Sequence, residues 1–289
     1  MFKGTATALI TPFCSDGTVD EEGLRRLVEF QENNGVNTLV PCGSTGESAT
    51  LSHEEHIHVI SIVIDQAKKA KVLAGAGSNC TSEAVMLSKH AADLGADGIL
   101  SISPYYVKPT QEGIYQHYKA IAESIDIPLV PYNVPGRTGS NMDADTTLKL
   151  AKLPNIRAIK EASGNLAQIE KIIRERPKDF EVLSGDDGLT YALMCKGADG
   201  VISVASNCCP DKVSMMVKLL QEGKKQEAEA IDAYLHPLFK GLFVESNPIP
   251  IKYIMKRLGY GAGSPRLPLT PLSTEGMTKL DPILDQMKL

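Results

Sequence analysis

The sequence predicts an α/β protein, a (β/α)8 TIM barrel with a C-terminal helical appendage, and three observations predict it. Eight short, apolar, β-rich segments alternate with amphipathic stretches along the chain. Three junctions echo one another, Gly35-Val36-Asn37-Thr38-Leu39, Gly95-Ala96-Asp97-Gly98-Ile99 and Gly197-Ala198-Asp199-Gly200-Val201, each placing glycine where a helix gives way to a strand. The length, 289 residues, accommodates one such barrel, which takes about 250, with chain to spare.

In chain order, strands are expected at residues 5–11, 38–42, 72–76, 98–103, 128–132, 156–160, 180–184 and 199–204. Helices are expected between them. Residues 20–34 carry Leu24, Leu27, Val28 and Phe30, and residues 81–94 carry Ala84, Leu87, Ala91 and Leu94, at the three-and-four spacing of one helical face. Asp20, Ser52 and Thr81 are expected N-caps, Ser52 pairing with Glu55 in a capping box. The eighth strand ends near residue 204, and the roughly 85 residues beyond it exceed one barrel helix of about 11–12 residues. Residues 1–224 are therefore read as the catalytic barrel and 225–289 as a helical domain packed on it.

Bulk properties exclude several function classes. A formal charge of −5 and no basic stretch interleaved with aromatics argue against nucleic-acid partners. No apolar run approaches the ~18 residues of a membrane span, and no signal-peptide layout opens the chain, so a cytoplasmic location without membrane partners is expected. The six cysteines, at positions 14, 42, 80, 195, 208 and 209, form no CxxC pair and read as reduced thiols. His53, His56 and His58 share one expected helix but lack the i, i+4 zinc spacing and a third ligand, so no metal site is expected.

In eight-stranded barrels the functional groups sit at the C-terminal ends of the strands. Here those ends carry Gly43-Ser44-Thr45-Gly46-Glu47, Ser103-Pro104-Tyr105-Tyr106, Tyr132 through Arg137, Lys160-Glu161, Gly185-Asp186-Asp187, and Ser203-Val204 after Ile202. Lys160 closes a strand whose other residues favour burial, so it either pairs with a carboxylate or gives up its proton. A desolvated lysine has a lowered pKa and attacks carbonyls, the requirement for Schiff-base catalysis. A lysine bridged to Glu161 or to solvent is the alternative. Tyr132 ends the preceding strand and could pass protons near the Lys160 amine, or serve as a core tyrosine. The Gly43–Glu47 turn offers backbone N–H groups and two hydroxyls to a carboxylate. Arg137, in a loop bounded by proline and glycine, offers a bidentate fork to a second one. Gly75-Ala76-Gly77 lacks the third glycine of a dinucleotide fingerprint.

The set Gly43-Ser44-Thr45-Gly46-Glu47, Tyr132-Asn133-Val134-Pro135-Gly136-Arg137-Thr138-Gly139, Ile159-Lys160-Glu161-Ala162-Ser163-Gly164, Ser184-Gly185-Asp186-Asp187 and Asn247-Pro248-Ile249-Pro250-Ile251-Lys252 resembles the dihydrodipicolinate synthase family of pyruvate-dependent class I aldolases, from Gly4 to about Leu269. The resemblance implies a barrel with three C-terminal helices, usually a homotetramer, condensing pyruvate with L-aspartate 4-semialdehyde in lysine and diaminopimelate biosynthesis, without metal or organic cofactor. It implies that Lys160 forms the pyruvate imine and that Tyr132, Ser44 and Tyr106 relay protons, Tyr106 coming from an adjacent subunit. It further implies that Thr45 binds the pyruvate carboxylate, Arg137 the semialdehyde carboxylate, and that Gly185 and Ile202 wall the pocket. Ser44 stands where most such synthases carry threonine, which keeps the hydroxyl. Ser48, Ala49, His53, His56, Asn79, Glu83 and Tyr105 match positions where lysine-inhibited members bind L-lysine, so feedback inhibition is an expectation. The alternatives are an N-acetylneuraminate lyase or a 2-keto-3-deoxy sugar acid aldolase of the same superfamily. From other classes they are a barrel isomerase with a phosphate site, or a non-catalytic metabolite-binding barrel.

Overall fold

Eight parallel strands close into a barrel in chain order in the computed structural model, which describes residues 1–261 and 263–289. They are β1 (Gly4–Ala8), β2 (Thr38–Val40), β3 (Lys71–Gly75), β4 (Gly98–Ile102), β5 (Leu129–Asn133), β6 (Ala158–Glu161), β7 (Glu181–Ser184) and β8 (Gly200–Ser203), the last pairing with β1. The expected ends at residues 11 and 42 overrun the observed ones for identifiable reasons. Beyond Ala8 the backbone turns to other partners, Ile10 N–H donating to Asn207 Oδ1 at 3.0 Å. Beyond Val40 comes Pro41, which has no N–H to give the ladder.

Helices α1 (Glu21–Asn33), α2 (His53–Gln66), α3 (Thr81–Asp93), α4 (Gln111–Ala122), the single turn α5 (Pro135–Thr138), α6 (Ala144–Leu150), α7 (Leu166–Glu175), α8 (Thr190–Cys195) and α9 (Pro210–Gln221) alternate with the strands. Three more follow: α10 (Lys225–Gly241), α11 (Ile249–Arg257) and α12 (Thr274–Met287). Asp20 caps α1 by accepting from Gly23 N–H, and Ser52 and Glu55 form the reciprocal capping box of α2. Thr81 is not a cap. Cys80 holds that position in α3, and the Thr81 hydroxyl instead shares a 2.9 Å hydrogen bond with His117 Nδ1.

Strand alternation divides the core into two clusters. Ala6, Ala8, Val40, Leu73, Leu100, Val130, Tyr132, Ala158, Leu183 and Ile202 fill the barrel interior. Leu39, Val72, Ile99, Leu129, Ile159, Val182 and Val201 face outward and pack under the helices. The C-terminal helices join this outer core through Leu235, Leu238, Ile251, Ile254, Leu280 and Leu284. Each such side chain withdrawn from water contributes roughly 1.5–3 kcal/mol. Among the described residues no helix is long and apolar enough to cross a membrane.

Candidate active site

Lys160 lies opposite Tyr132 of β5 and Leu183 of β7 in the barrel register. It shares its side of the strand with Ala158, so its side chain rises through the barrel interior, where it is 6% exposed. The amine sits 4.2 Å from the centroid of the Tyr132 ring, and no carboxylate lies within ion-pair distance of it among the described residues. Loss of hydration pushes the Lys160 pKa down to about 7; Asp187 pulls it back up, and Arg137 pushes it further down. At neutral pH a large fraction of the amine is therefore an uncharged nucleophile.

Glu161 does not bridge to Lys160. One residue along the strand, it faces the outside of the barrel, where its carboxylate accepts from Ser163 N–H at 2.7 Å, Asn133 Nδ2 at 3.2 Å and Gln168 Nε2 at 3.3 Å. Gly185 acts through the side chain it lacks. A Cβ there would lie 3.0 Å from Lys160 Cε and 2.8 Å from Ala162 Cβ, so only glycine leaves the lysine stem its path.

The cavity above Lys160 has a volume of about 140 Å³ and is lined by Ser44, Thr45, Tyr132, Arg137, Lys160 and Gly185 among others. Burial pushes the Tyr132 pKa up to about 12, so its phenol stays protonated at neutral pH. Among the described residues no hydrogen bond joins the Tyr132 phenol to the Ser44 hydroxyl; the structure places both on the cavity without linking them. The Gly43–Glu47 segment turns tightly, Gly46 N–H donating to Gly43 O at 3.0 Å. Glu47 takes a positive φ of 55° there, and its buried carboxylate holds Lys252 Nζ and, at 2.9 Å, Arg266 N–H. Arg137 is on α5, not in an irregular loop, and Nη2 donates to the Asn247 carbonyl at 3.2 Å.

Two expected site residues do not line this cavity, one of them, Tyr106, expected there only from an adjacent subunit. Ile202 faces the barrel interior in the cluster with Leu183 and Leu100 but is not among the residues lining the cavity; Val204, two residues on, lines it. Tyr106 is 87% exposed at a positive φ of 71°, with its N–H bonded to Thr138 O, and does not enter the cavity of its own chain. Of the positions matched to lysine binding, His53 Nε2 meets Glu83 Oε1 at 2.8 Å, and the other Glu83 oxygen takes the Ser78 hydroxyl. His56 is buried, its pKa pushed down by burial, and its Nδ1 has no partner among the described residues. Ser48 and Ala49 form a 3₁₀ turn beside α2, and Tyr105 is exposed with Tyr106. Asn79 is partly buried in the segment before α3.

Sequence reasoning assigned no role to Asp187, Phe243 or Asn247. Asp187 is fully buried and accepts from Val204 and Ala205 N–H, both at 2.9 Å. Phe243 and Asn247 line the cavity from the segment joining α10 to α11. The Gly185-Asp186-Asp187 and Asn247-Pro248 runs were the available signal, but neither shows in sequence which partner it meets.

The model of the dihydrodipicolinate synthetase family matches residues 1–287. The 4-hydroxy-tetrahydrodipicolinate synthase of Chloroherpeton thalassium is 50% identical over 289 residues, covering 99% of this chain and 96% of that protein. A chloride-inhibited dihydrodipicolinate synthase from Acinetobacter baumannii, solved in complex with pyruvate, is 43% identical with a TM-score of 0.97, covering 100% of this chain and 99% of that one. A lysine-bound synthase from Cyanidioschyzon merolae is 42% identical with the same TM-score of 0.97, again covering 100% of this chain and 99% of that one.

Proposed function

The chain belongs to the dihydrodipicolinate synthetase family, and from that premise we propose that it is a 4-hydroxy-tetrahydrodipicolinate synthase, joining pyruvate to L-aspartate 4-semialdehyde in lysine and diaminopimelate biosynthesis. One observation carries the reading above all others: the Lys160 amine lies inside the barrel against an aromatic face, without a carboxylate in ion-pair contact among the described residues and with its pKa near 7.

The neutral Lys160 amine attacks C2 of pyruvate, and the carbinolamine loses water to give an iminium. The positive nitrogen draws electrons from the neighbouring bonds, so a methyl proton leaves and an enamine forms. Its C3 attacks the aldehyde carbon of the semialdehyde, whose oxygen takes up a proton. The substrate amine then attacks the iminium carbon, closing the ring and releasing Lys160. Tyr132 and Ser44 on the cavity, with Tyr106 reaching in from a second copy of the chain, carry the protons. The exposure of Tyr106 supports that last role, because its ring is free to enter a neighbouring copy. Thr45 receives the pyruvate carboxylate and Arg137 that of the semialdehyde. Gly185 and the wall formed by Ala162 and Val204 keep the cavity small, in keeping with a three-carbon acid.

The assembly is a homotetramer acting in the cytoplasm. L-lysine inhibits it at the site formed by Ser48, Ala49, His53, His56, Asn79, Glu83 and Tyr105. The His53–Glu83 contact, which offers a carboxylate to an ammonium, supports that inhibition. Borohydride reduction in the presence of pyruvate, followed by peptide mass analysis, tests the reading. The expected result is one pyruvyl adduct, on the peptide that contains Lys160. An adduct only on another lysine, or none, sinks it. Full activity at saturating L-lysine would refute the inhibition separately.

A further inference from the structure

Asn247 lies on none of the eight strands, yet it is 5% exposed and lines the cavity. Its side-chain Nδ2 donates to Thr45 Oγ1 at 3.0 Å, and its backbone carbonyl accepts from Arg137 Nη2 at 3.2 Å. One residue of the C-terminal region thus touches the two groups assigned to the two substrate carboxylates. The region is fastened at the same turn, where Lys252 of α11 meets Glu47 and Arg266 N–H adds a second bond to that carboxylate.

The direction of the Thr45 bond matters. A threonine hydroxyl has one proton and two lone pairs, while an ionised carboxylate only accepts. With Nδ2 occupying a lone pair of Thr45 Oγ1, the hydroxyl proton is not spent on Asn247 and remains available to an anion in the cavity. Were the amide oxygen there instead, it would take that proton and leave Thr45 presenting lone pairs to a carboxylate. The orientation has a cost, since Asn247 Oδ1 is buried without a partner among the described residues. Arg137 gains in the same way: the carbonyl occupies one of its five N–H donors and steadies the guanidinium, leaving the others free.

We propose that Asn247 is a positioning residue for both carboxylate subsites, turning the Thr45 hydroxyl toward the keto acid and holding the Arg137 fork at the cavity mouth. The proposal rests on the Schiff-base reading given above, and its test separates the two.

The measurement is the pyruvate concentration that gives half-maximal borohydride-trapped adduct on Lys160, in the intact protein and in Asn247→Ala, Asn247→Asp, Thr45→Val and the double variant Thr45→Val/Asn247→Ala. Asn247→Ala should raise it about five- to tenfold, the value of one lost hydrogen bond between neutral groups, with full adduct at saturating pyruvate. Asn247→Asp keeps the shape but puts oxygen at both positions, so it should raise the concentration further. The double variant should match Thr45→Val, because Asn247 acts on pyruvate through that hydroxyl. An unchanged value in Asn247→Asp overturns the proposal, as does an Asn247→Ala effect that persists undiminished in the Thr45→Val background. Absence of adduct in the intact protein would sink the Schiff-base reading instead.

Discussion

Lys160 and Lys252 are the same residue in nearly the same degree of burial, 6% and 5% exposed, and each amine lies over an aromatic ring, Tyr132 at 4.2 Å and Phe13 at 3.8 Å. They differ in one partner. Lys252 is in contact with the buried carboxylate of Glu47, whereas Lys160 has no carboxylate within ion-pair distance among the described residues. Burial pulls both amines below the usual lysine value; a carboxylate pulls each back, Asp187 from beyond contact at Lys160 and Glu47 in direct contact at Lys252. The first lysine is therefore available for chemistry, and the second is a strut joining α11 to the turn that carries Thr45. Burial alone does not make an amine a nucleophile; burial without a carboxylate in contact does.

The largest effect that could break this comparison concerns activity. Lys160→Ala should abolish the pyruvyl adduct and lower kcat/KM by roughly a thousandfold or more, while Lys252→Met keeps the adduct. Loss of the adduct in a folded Lys252→Met protein would show that the strut takes part in the chemistry.

Stability should move the other way. Lys252→Met leaves the buried Glu47 carboxylate without its contacting cation and should cost about 3–5 kcal/mol, read as a lower denaturant midpoint. Adding Glu47→Gln should restore much of that loss. Lys160→Met removes an amine held out of water with no ion-pair partner, so its midpoint should be equal to or above that of the intact protein. Equal losses in the two methionine variants would erase the distinction.

Arg137 sharpens the comparison from the substrate side, at a smaller magnitude. Arg137→Ala should leave adduct formation with pyruvate intact and raise the KM for the aldehyde acid about 10- to 100-fold, the worth of a charge-assisted hydrogen bond or two. A failure to form the adduct in this variant would move Arg137 into the pyruvate subsite.

What the sequence made legible divides along the same line. The eight strands and the inward face of β6 follow from local periodicity, and Lys160 and Tyr132 could be paired because adjacent strands of a parallel barrel end level. Ile202 has the expected inward face, while Val204, two residues on and of the same parity, lines the cavity, because the depth a side chain reaches depends on how the strand ends. Thr81 looked like a cap because caps are read from residue type, whereas His117, on another helix, claimed its hydroxyl. The Thr45–Asn247 and Glu47–Lys252 pairs join positions 202 and 205 residues apart, and no local pattern encodes them. They became visible only once the C-terminal helices were seated on the barrel.

The smallest expected effect tests the field around Lys160. Only the neutral amine attacks pyruvate, so with a pKa near 7 the rate of adduct formation should climb as pH rises through about 7 and level off above it. Arg137 lowers that pKa by disfavouring a second cation nearby, and Asp187 raises it by favouring the ammonium. Arg137→Ala should therefore shift the midpoint to higher pH and Asp187→Asn to lower pH, each by less than about one unit, or roughly 1.4 kcal/mol of charge interaction. Lys252→Met, acting on the strut, should leave the midpoint where it is. Stopped-quench trapping across pH 5–9 reads all three. A shift in the same direction for Arg137→Ala and Asp187→Asn would mean that dehydration governs the midpoint and that the two charges act only through packing. Opposite shifts would mean that the cavity tunes its amine with one charge of each sign, at a site where a full ion pair, as at Lys252, would have silenced it.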